Sequence, residues 1–373
     1  MAPASGVLKA LRRAELSVCG QAASFLQSDF WGAFKARFGW EALAFVAEWA
    51  GDETDLSQRR TSVEGAEGSL GEGCQPLLVL RRSLMAGFSL AYIPWGPQLP
   101  PGFPADDALR GDALKELAFA LKGLLPADTA FVRFDPPWYN EGPDELPPQV
   151  PQPFVRAGAD IQAPDTVLVN LEEPMEDLLL RMKPKWRYNA RLALKKGVAV
   201  RRAAAAEAPV FYELLKETAV RDGIAIHPLA YYQALLAGGS SPGIDARLYL
   251  AEHEGDMLAG IVTLFRGREA VYLYGASSGK KRSLMAPYAL QLKAMEDAKA
   301  AGCAVYDLFG IPPNADPSHP MAGLFLFKTG FGGRIIHRPG SWDFPCRPLV
   351  YRLFRCAESL RKRLLNLRKK RPS

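Results

Sequence analysis

Histidine and cysteine are scarce in this chain, and its apolar runs are short. The five cysteines, Cys19, Cys74, Cys303, Cys346 and Cys356, are odd in number, widely spaced and free of any CxxC pair. That pattern argues for a reducing compartment and against disulfides or structural zinc. Only His227, His253, His319 and His337 offer imidazole, and no two stand at a ligand spacing, so no metal is expected. No uncharged apolar run approaches the roughly 18 residues of a membrane span. The opening residues, MAPASGVLKALRRAEL, hold no apolar block of the signal-peptide kind. A cytoplasmic location is therefore expected. No serine or cysteine nucleophile with a His/Asp partner is evident either, which argues against hydrolase-type covalent catalysis.

The composition is that of a globular protein, and 373 residues suffice for two domains of ordinary size. The formal charge of +6 is unevenly spread. From Tyr351 to Ser373 there are nine Lys/Arg residues and one Glu, a local +8, so the rest of the chain carries 6 − 8 = −2. The basic character belongs to a tail. Tyr351, Phe354, Ala357, Leu360, Leu364 and Leu367, with arginines between them, make that tail an amphipathic basic helix. Anionic lipid, tRNA and plain solvent are its alternative neighbours.

Along the chain, Ser24–Phe38 reads as helix and Trp40–Trp49 as strand. Gly51–Gly73 reads as a long polar hairpin loop. Strands follow at Leu77–Arg81 and Phe88–Ile93, then a helix over Asp107–Leu125 and a strand over Ala130–Phe134. Seven prolines between Pro136 and Pro153 exclude regular structure there and suggest an ordered connection. The second half repeats this grammar. Helices are expected at Pro209–Arg221 and Pro228–Leu236. Strands are expected at Ala246–His253, Met257–Phe265 and Ala270–Tyr274, followed by a helix from Ala286 to Ala301 and a strand from Ala304 to Phe309. Ala289, Leu292, Met295 and Ala298 give that helix an apolar face, and Gly302 stands at its C-cap position. Both halves end similarly, in AFVRFDPP and AVYDLFGIPP. The repeated order suggests a duplication. It fits an α+β or α/β architecture of the GNAT-type N-acyltransferase class, a mostly antiparallel sheet with one splayed parallel strand pair.

Between the halves, Arg181 to Lys196 carries seven Lys/Arg residues and no acid: Arg181, Lys183, Lys185, Arg187, Arg191, Lys195 and Lys196. Trp186 and Tyr188 are interleaved, a pattern that suits phosphate neutralisation with stacking on RNA bases. The alternative is a solvated helix face with Leu192 and Leu194 packed inward.

A GNAT-type fold first suggests acetyl-coenzyme A, whose pyrophosphate is held by small residues and backbone N–H groups at a helix start. Here that turn is Arg282-Ser283-Leu284-Met285-Ala286-Pro287. Met285 is bulky and Pro287 has no N–H to donate, so the cradle is damaged. An activated ester donor such as aminoacyl-tRNA needs less: positioning, oxyanion stabilisation and a proton acceptor. Lys328, in the apolar, Gly-flanked segment FKTGF, is placed for an oxyanion or phosphate contact; a lysine snorkelling from an apolar helix is the alternative.

The chain resembles the Fem aminoacyltransferases, which build peptidoglycan interpeptide bridges. The likeness is carried by Gln27-Ser28-Asp29-Phe30-Trp31 with Lys35, by Ile93-Pro94-Trp95-Gly96-Pro97 and Arg133-Phe134-Asp135-Pro136, and by the run Met182 to Ala193. It continues through Glu217 to Gly223, Tyr272 to Ser278, Tyr306 to Ile311 and Phe327 to Gly333. The resemblance implies two tandem GNAT-like subdomains with a cleft between them: residues 1–160, completed by 338–373, and residues 161–337. It implies transfer of an amino acid from aminoacyl-tRNA, as co-substrate without other cofactor, to a nucleotide-linked or lipid-linked peptidoglycan precursor. Lys35 and Arg221 would hold the precursor's diphosphate, with Trp31 and Arg282 among the substrate-binding residues. Tyr272 and Tyr274 would line the acceptor cleft, Lys328 would face the transfer centre, and Asp135 is a candidate proton acceptor or a plain strand-end turn residue. Lys183, Lys185, Arg187 and Arg191 would take tRNA phosphates. Trp95 stands where the family often has arginine, and no long helical hairpin for tRNA is present. A monomer is expected, and peripheral contact with an anionic membrane at its inner face stays one of the alternative readings of the basic C-terminal helix. An acyl-coenzyme A N-acyltransferase, or a non-catalytic RNA- or membrane-binding protein, are the competing readings.

Overall fold

The structure, a computed structural model, describes residues 7–50, 70–238 and 243–369. Most of the expected loop over 51–73 lies outside the described residues. The chain divides into two compact units. The first comprises Met1–Tyr139, Pro147–Pro164 and Arg338–Ser373, the second Asn140–Leu146 and Asp165–His337. Residues 140–146, within the proline-rich stretch, thus belong to the second unit, where Asn140–Glu141 pairs with Ile336 and His337.

Each unit is built on one sheet. In the first, the strand order is Leu8–Ala14, Glu41–Trp49, Cys74–Ser83, Ser89–Ile93, Thr129–Phe134, Trp342–Pro345 and Val155–Arg156. In the second it is Asn140–Glu141, Arg334–His337, Asp165–Asn170, Val305–Asp307, Glu269–Ser277, Asp256–Arg266, Asp245–His253 and Ala199–Ala203. Every pairing is antiparallel except one in each sheet: Ser89–Ile93 with Thr129–Phe134, and Glu269–Ser277 with Val305–Asp307. A helix joins the strands of each parallel pair, Asp107–Leu124 in one unit and Ala286–Ala300 in the other. The two units therefore repeat one GNAT-like plan.

Local chemistry explains the elements. Ser28 caps the helix Asp29–Ala36 by accepting from the Trp31 N–H at 3.1 Å, and Asp106 caps Asp107–Leu124 through Leu109 N–H at 2.9 Å. Gly302, with φ +85°, ends the helix Ala286–Ala300 in the left-handed conformation that only glycine adopts cheaply. That helix buries Ala289, Met295 and Ala298, with Leu290 and Ala294, in one cluster with Tyr249, Ile261 and Tyr306, while Leu292 is buried outside that cluster. In the first unit, Leu114, Leu117 and Leu121 pack against Phe45, Val79 and Phe134. Each such leucine, isoleucine, valine, methionine or phenylalanine side chain contributes about 1.5–3 kcal/mol by leaving water.

The C-terminal segment completes the first sheet. Trp342–Pro345 inserts between Thr129–Phe134 and Val155–Arg156. The Arg133 guanidinium donates two hydrogen bonds to the buried Asp343 carboxylate, at 2.7 and 2.9 Å. The helix Pro348–Lys369 follows. Its Tyr351 ring packs 5.2 Å from Phe131, while the hydroxyl donates to Asp343 at 2.9 Å. No helix among the described residues is long and apolar enough to cross a membrane.

Candidate active site

In the second unit the parallel strands part company early. Glu269–Ser277 is nine residues long but pairs with Val305–Asp307 only through Glu269, Ala270 and Val271. Beyond Val271 and Asp307 the two backbones splay, and polar groups gather in the opening. Asp307 pins the turn that follows, its Oδ1 accepting the Phe309 N–H at 2.7 Å and the Thr166 hydroxyl. Phe309 is held at φ +56°, a left-handed conformation that a bulky residue adopts only under constraint.

Lys328 fills this turn. It lies in the last turn of the helix Ala322–Thr329 and is 5% exposed. Its ammonium donates to the carbonyls of Phe309 and Gly310, at 3.0 and 2.8 Å, and sits 5.1 Å from the centre of the Tyr272 ring. Two of its three N–H groups are thus engaged. Burial pushes the pKa of Lys328 down to about 7, against the pull of the nearby Asp307 carboxylate. The result is a desolvated cation, fixed in direction, that titrates near neutrality. Tyr272 covers it only because residue 275 is glycine: a Cβ there would stand 1.8 Å from the Tyr272 hydroxyl. Burial pushes the Tyr272 phenol up to about 12.

Tyr274 does not join this group. Val262 pairs with Tyr274 and the next residue, Thr263, with Tyr272, so Leu273 is an extra, bulged residue. Val262 and Thr263 are consecutive and face opposite sides of the sheet, so the two tyrosines do as well. Tyr274 meets the helix Leu229–Gly238 instead, its hydroxyl 3.1 Å from that of Tyr231, which stacks on His227 at 3.9 Å. The resemblance to the Fem family implied that both tyrosines line one cleft.

Arg221 ends the helix Ala208–Asp222 and is held by its neighbour Asp222 at 2.8 and 3.0 Å and by the Ser277 carbonyl at 2.7 Å. Arg282 is exposed and lines a cavity of about 360 Å³ with Lys280, Lys281, Ser283, Met285 and Pro287. The lysines of this turn are compensated: Lys280 pairs with Asp256 at 2.8 Å, and Lys281 with Glu254 at 3.0 Å and Asp256 at 3.1 Å. Met285 is left-handed at φ +58°, ahead of the helix that Pro287 helps to start.

The basic run forms the helix Pro184–Lys195 with Lys183 as its N-cap. Its members do different things. Arg187 turns back to donate to the carbonyls of Leu179 and Leu180, at 3.1 and 2.7 Å, closing the end of the helix Met175–Arg181. Trp186 donates to the Phe327 carbonyl at 2.7 Å and packs on Gly330. Lys183, Lys185, Tyr188 and Arg191 stay exposed, and the inward residues are Asn189, Ala190 and Ala193 rather than Leu192 and Leu194. Tyr188, 62% exposed, is the aromatic left for stacking.

The remaining candidates are in the first unit. Asp135 follows the strand Thr129–Phe134 and is buried. Tyr92 and Ser341 donate their hydroxyls to its two oxygens, and Gln162 donates to the Tyr92 hydroxyl at 3.2 Å. Burial raises the Asp135 carboxyl to about 6, although both hydroxyl donors pull it down. Lys35 lies 5.5 Å from the Trp31 ring and 5.9 Å from that of Trp40. Its pKa is lowered, first by burial and then by Arg82, which sits 5.6 Å from the same Trp40 ring. Trp31 is buried against Phe25 and Phe34, at 5.3 and 5.2 Å. Arg338 stacks on Trp95 at 4.3 Å. No group of three metal-ligating side chains occurs among the described residues, and both ring nitrogens of His337 are engaged, by Asp165 at 2.5 Å and the Gly142 carbonyl at 2.9 Å.

Sequence reasoning missed the Phe309 and Gly310 carbonyls, the Asp307 pin and Arg82. The first three stand in the segment Tyr306 to Ile311, whose Asp-Leu-Phe-Gly ending a buried strand was a usable signal. Arg82 gave none, being one arginine at a strand end.

Comparison with known proteins gives a consistent picture. The family model described as the FemAB family matches residues 153–238 and 245–359. A protein of Staphylococcus aureus (strain MRSA252) named lipid II:glycine glycyltransferase is 24% identical over 403 aligned positions, 88% of this chain and 89% of that protein. A Staphylococcus epidermidis (strain RP62A) protein of the same name is 23% identical over 254 positions, 52% of this chain. There the match spans 61% of the relative's length. Among solved structures, one titled crystal structure of FemX shares 20% identity at a TM-score of 0.69, covering 92% of this chain and 99% of that one. At that identity the likeness establishes the fold.

Proposed function

This chain belongs to the FemAB family, and on that premise we propose that it transfers an amino acid from aminoacyl-tRNA to the peptide-stem amine of a lipid-linked peptidoglycan precursor. The observation that carries the proposal is the buried Lys328 ammonium, aimed by the Phe309 and Gly310 carbonyls beside the Tyr272 ring. In such a transfer the acceptor amine attacks the ester carbonyl and forms the C–N bond. The carbonyl oxygen gains negative charge, the ribose oxygen leaves, and the amine's surplus proton passes to that leaving oxygen. A fixed, desolvated cation beside the opening of the sheet stabilises that oxyanion far better than an exposed lysine does. Lys183, Lys185, Tyr188 and Arg191, exposed on one helix, suit the phosphates and a base of the donor RNA. The relatives' names support a lipid-linked acceptor and make glycine the first donor to test.

The test is transfer of radiolabelled amino acids from charged tRNAs to lipid-linked and nucleotide-linked precursors. Label in the lipid-linked precursor is the expected result. Absence of transfer from every tRNA to either acceptor overturns the proposal. Adding coenzyme A is a useful control: thermal stabilisation by it favours the acyl-coenzyme A reading, against which the Met285–Pro287 turn argues.

A further inference from the structure

The helix Pro348–Lys369 has two apolar faces, and packing within the first unit uses only one of them. Tyr351 and Phe354 turn inward onto Phe131, at 5.2 and 4.9 Å. At 100° per residue, Leu349, Leu353, Cys356 and Leu360 fall on one stripe opposite Tyr351. All four point to solvent, the leucines being 74, 72 and 59% exposed. In sequence the spacing continues through Leu364 and Leu367. Scattered exposed leucines need no explanation, but an aligned row of them on one helix does.

We propose that this stripe docks on the surface of an anionic lipid bilayer. Charge selects that occupant: nine Lys/Arg against one Glu between Tyr351 and Ser373 complement an acidic headgroup layer, while the leucines enter the boundary beneath it. RNA suits the face poorly, because the helix's two aromatic rings are committed to Phe131 and none is left on the stripe for stacking on bases. A second copy suits it poorly too, since pairing two stripes brings two strongly basic helices together. The helix is already held in place. Arg355 donates to the Arg156 carbonyl at 2.7 Å and to the Tyr351 hydroxyl at 3.2 Å, so the stripe is presented without an ordering penalty at the moment of docking. Lipid docking stands independently of the transfer reaction and is measured without substrate.

The experiment is flotation of the full chain with vesicles of phosphatidylcholine alone or with about one third phosphatidylglycerol, at low ionic strength. The phosphatidylglycerol vesicles should bind at least about tenfold more tightly than the neutral ones, and salt well above physiological strength should weaken that binding. The triple variant L349Q/L353Q/L360Q, which keeps every charge and good helix formers, should lose at least about tenfold in vesicle affinity at unchanged thermal stability. Should that variant prove unstable, R352E/R361E, which keeps the leucines, must show the same loss. Equal binding to both vesicle types, no binding to either, or wild-type binding by the variants overturns the proposal. So does a triple variant that loses tRNA affinity or self-association while keeping vesicle binding.

Discussion

A lysine buried as Lys328 is carries a thermodynamic signature. The folded protein holds the Lys328 pKa near 7 and the unfolded chain holds it near the model-peptide value of 10.5, so between these limits the unfolded state binds more protons. Stability from this group therefore rises as pH climbs from about 7 toward 10.5, and below pH 7 the full penalty of a buried charge applies. Urea unfolding of wild type and Lys328→Met should show the wild type gaining on the variant by a few kcal/mol, to order of magnitude, between pH 7 and pH 10. A pH-independent difference contradicts the assignment. Gly275→Ala tests the neighbouring tyrosine. Its Cβ would stand 1.8 Å from the Tyr272 hydroxyl, so the ring must leave Lys328, and transfer should fall by about tenfold or more with the fold retained. Lys328 was visible in the sequence as a cation in an apolar, glycine-flanked segment. The carbonyls that aim it are backbone groups with no residue-type signal of their own, and only the Asp-Leu-Phe-Gly segment that carries them was readable.

Elements differ in how much the chain declares them. The helix Ala286–Ala300 was legible because Ala289, Met295 and Ala298 keep one helical period, and the strand Val305–Asp307 because it lies in a short apolar run. The strands Leu8–Ala14 and Ala199–Ala203 were not: they are sheet edges, only partly covered, and their sequences LKALRRA and AVRRA lack clean alternation. The bulge at Leu273 is a third case, where an inserted residue reverses a face that alternation assigns. Contact between helices is readable at Gly330, where a Cβ would meet the Trp186 indole at 2.1 Å. Gly330→Ala should destabilise the second unit by about 1–3 kcal/mol in urea unfolding, because the indole has to give up its place against the backbone. An unchanged midpoint would mean that the helices do not meet there.

At the scale of the whole chain, one plan is repeated in two units and distant pairing completes the first. The repeated element order and the paired Pro-Pro endings made the two GNAT-like units legible. The return of residues 338–369 to the first unit entered only through family resemblance, because Arg133 and Asp343 are 210 residues apart. Arg133→Met strands the buried Asp343 carboxylate, to which the Tyr351 hydroxyl still donates at 2.9 Å. The expected loss is about 3–5 kcal/mol, seen as earlier protease cleavage in residues 74–134 than in residues 245–307. Uniform susceptibility of the two units contradicts it.

The central claim is that Lys328 serves acyl transfer from aminoacyl-tRNA, and single-turnover transfer of radiolabelled glycine to the lipid-linked precursor tests it most directly. Wild type should label the precursor, and Lys328→Ala should do so about 100- to 1,000-fold more slowly, the loss typical of one removed oxyanion donor. Equal rates in the two proteins, or no labelling by wild type with any charged tRNA, would contradict the account.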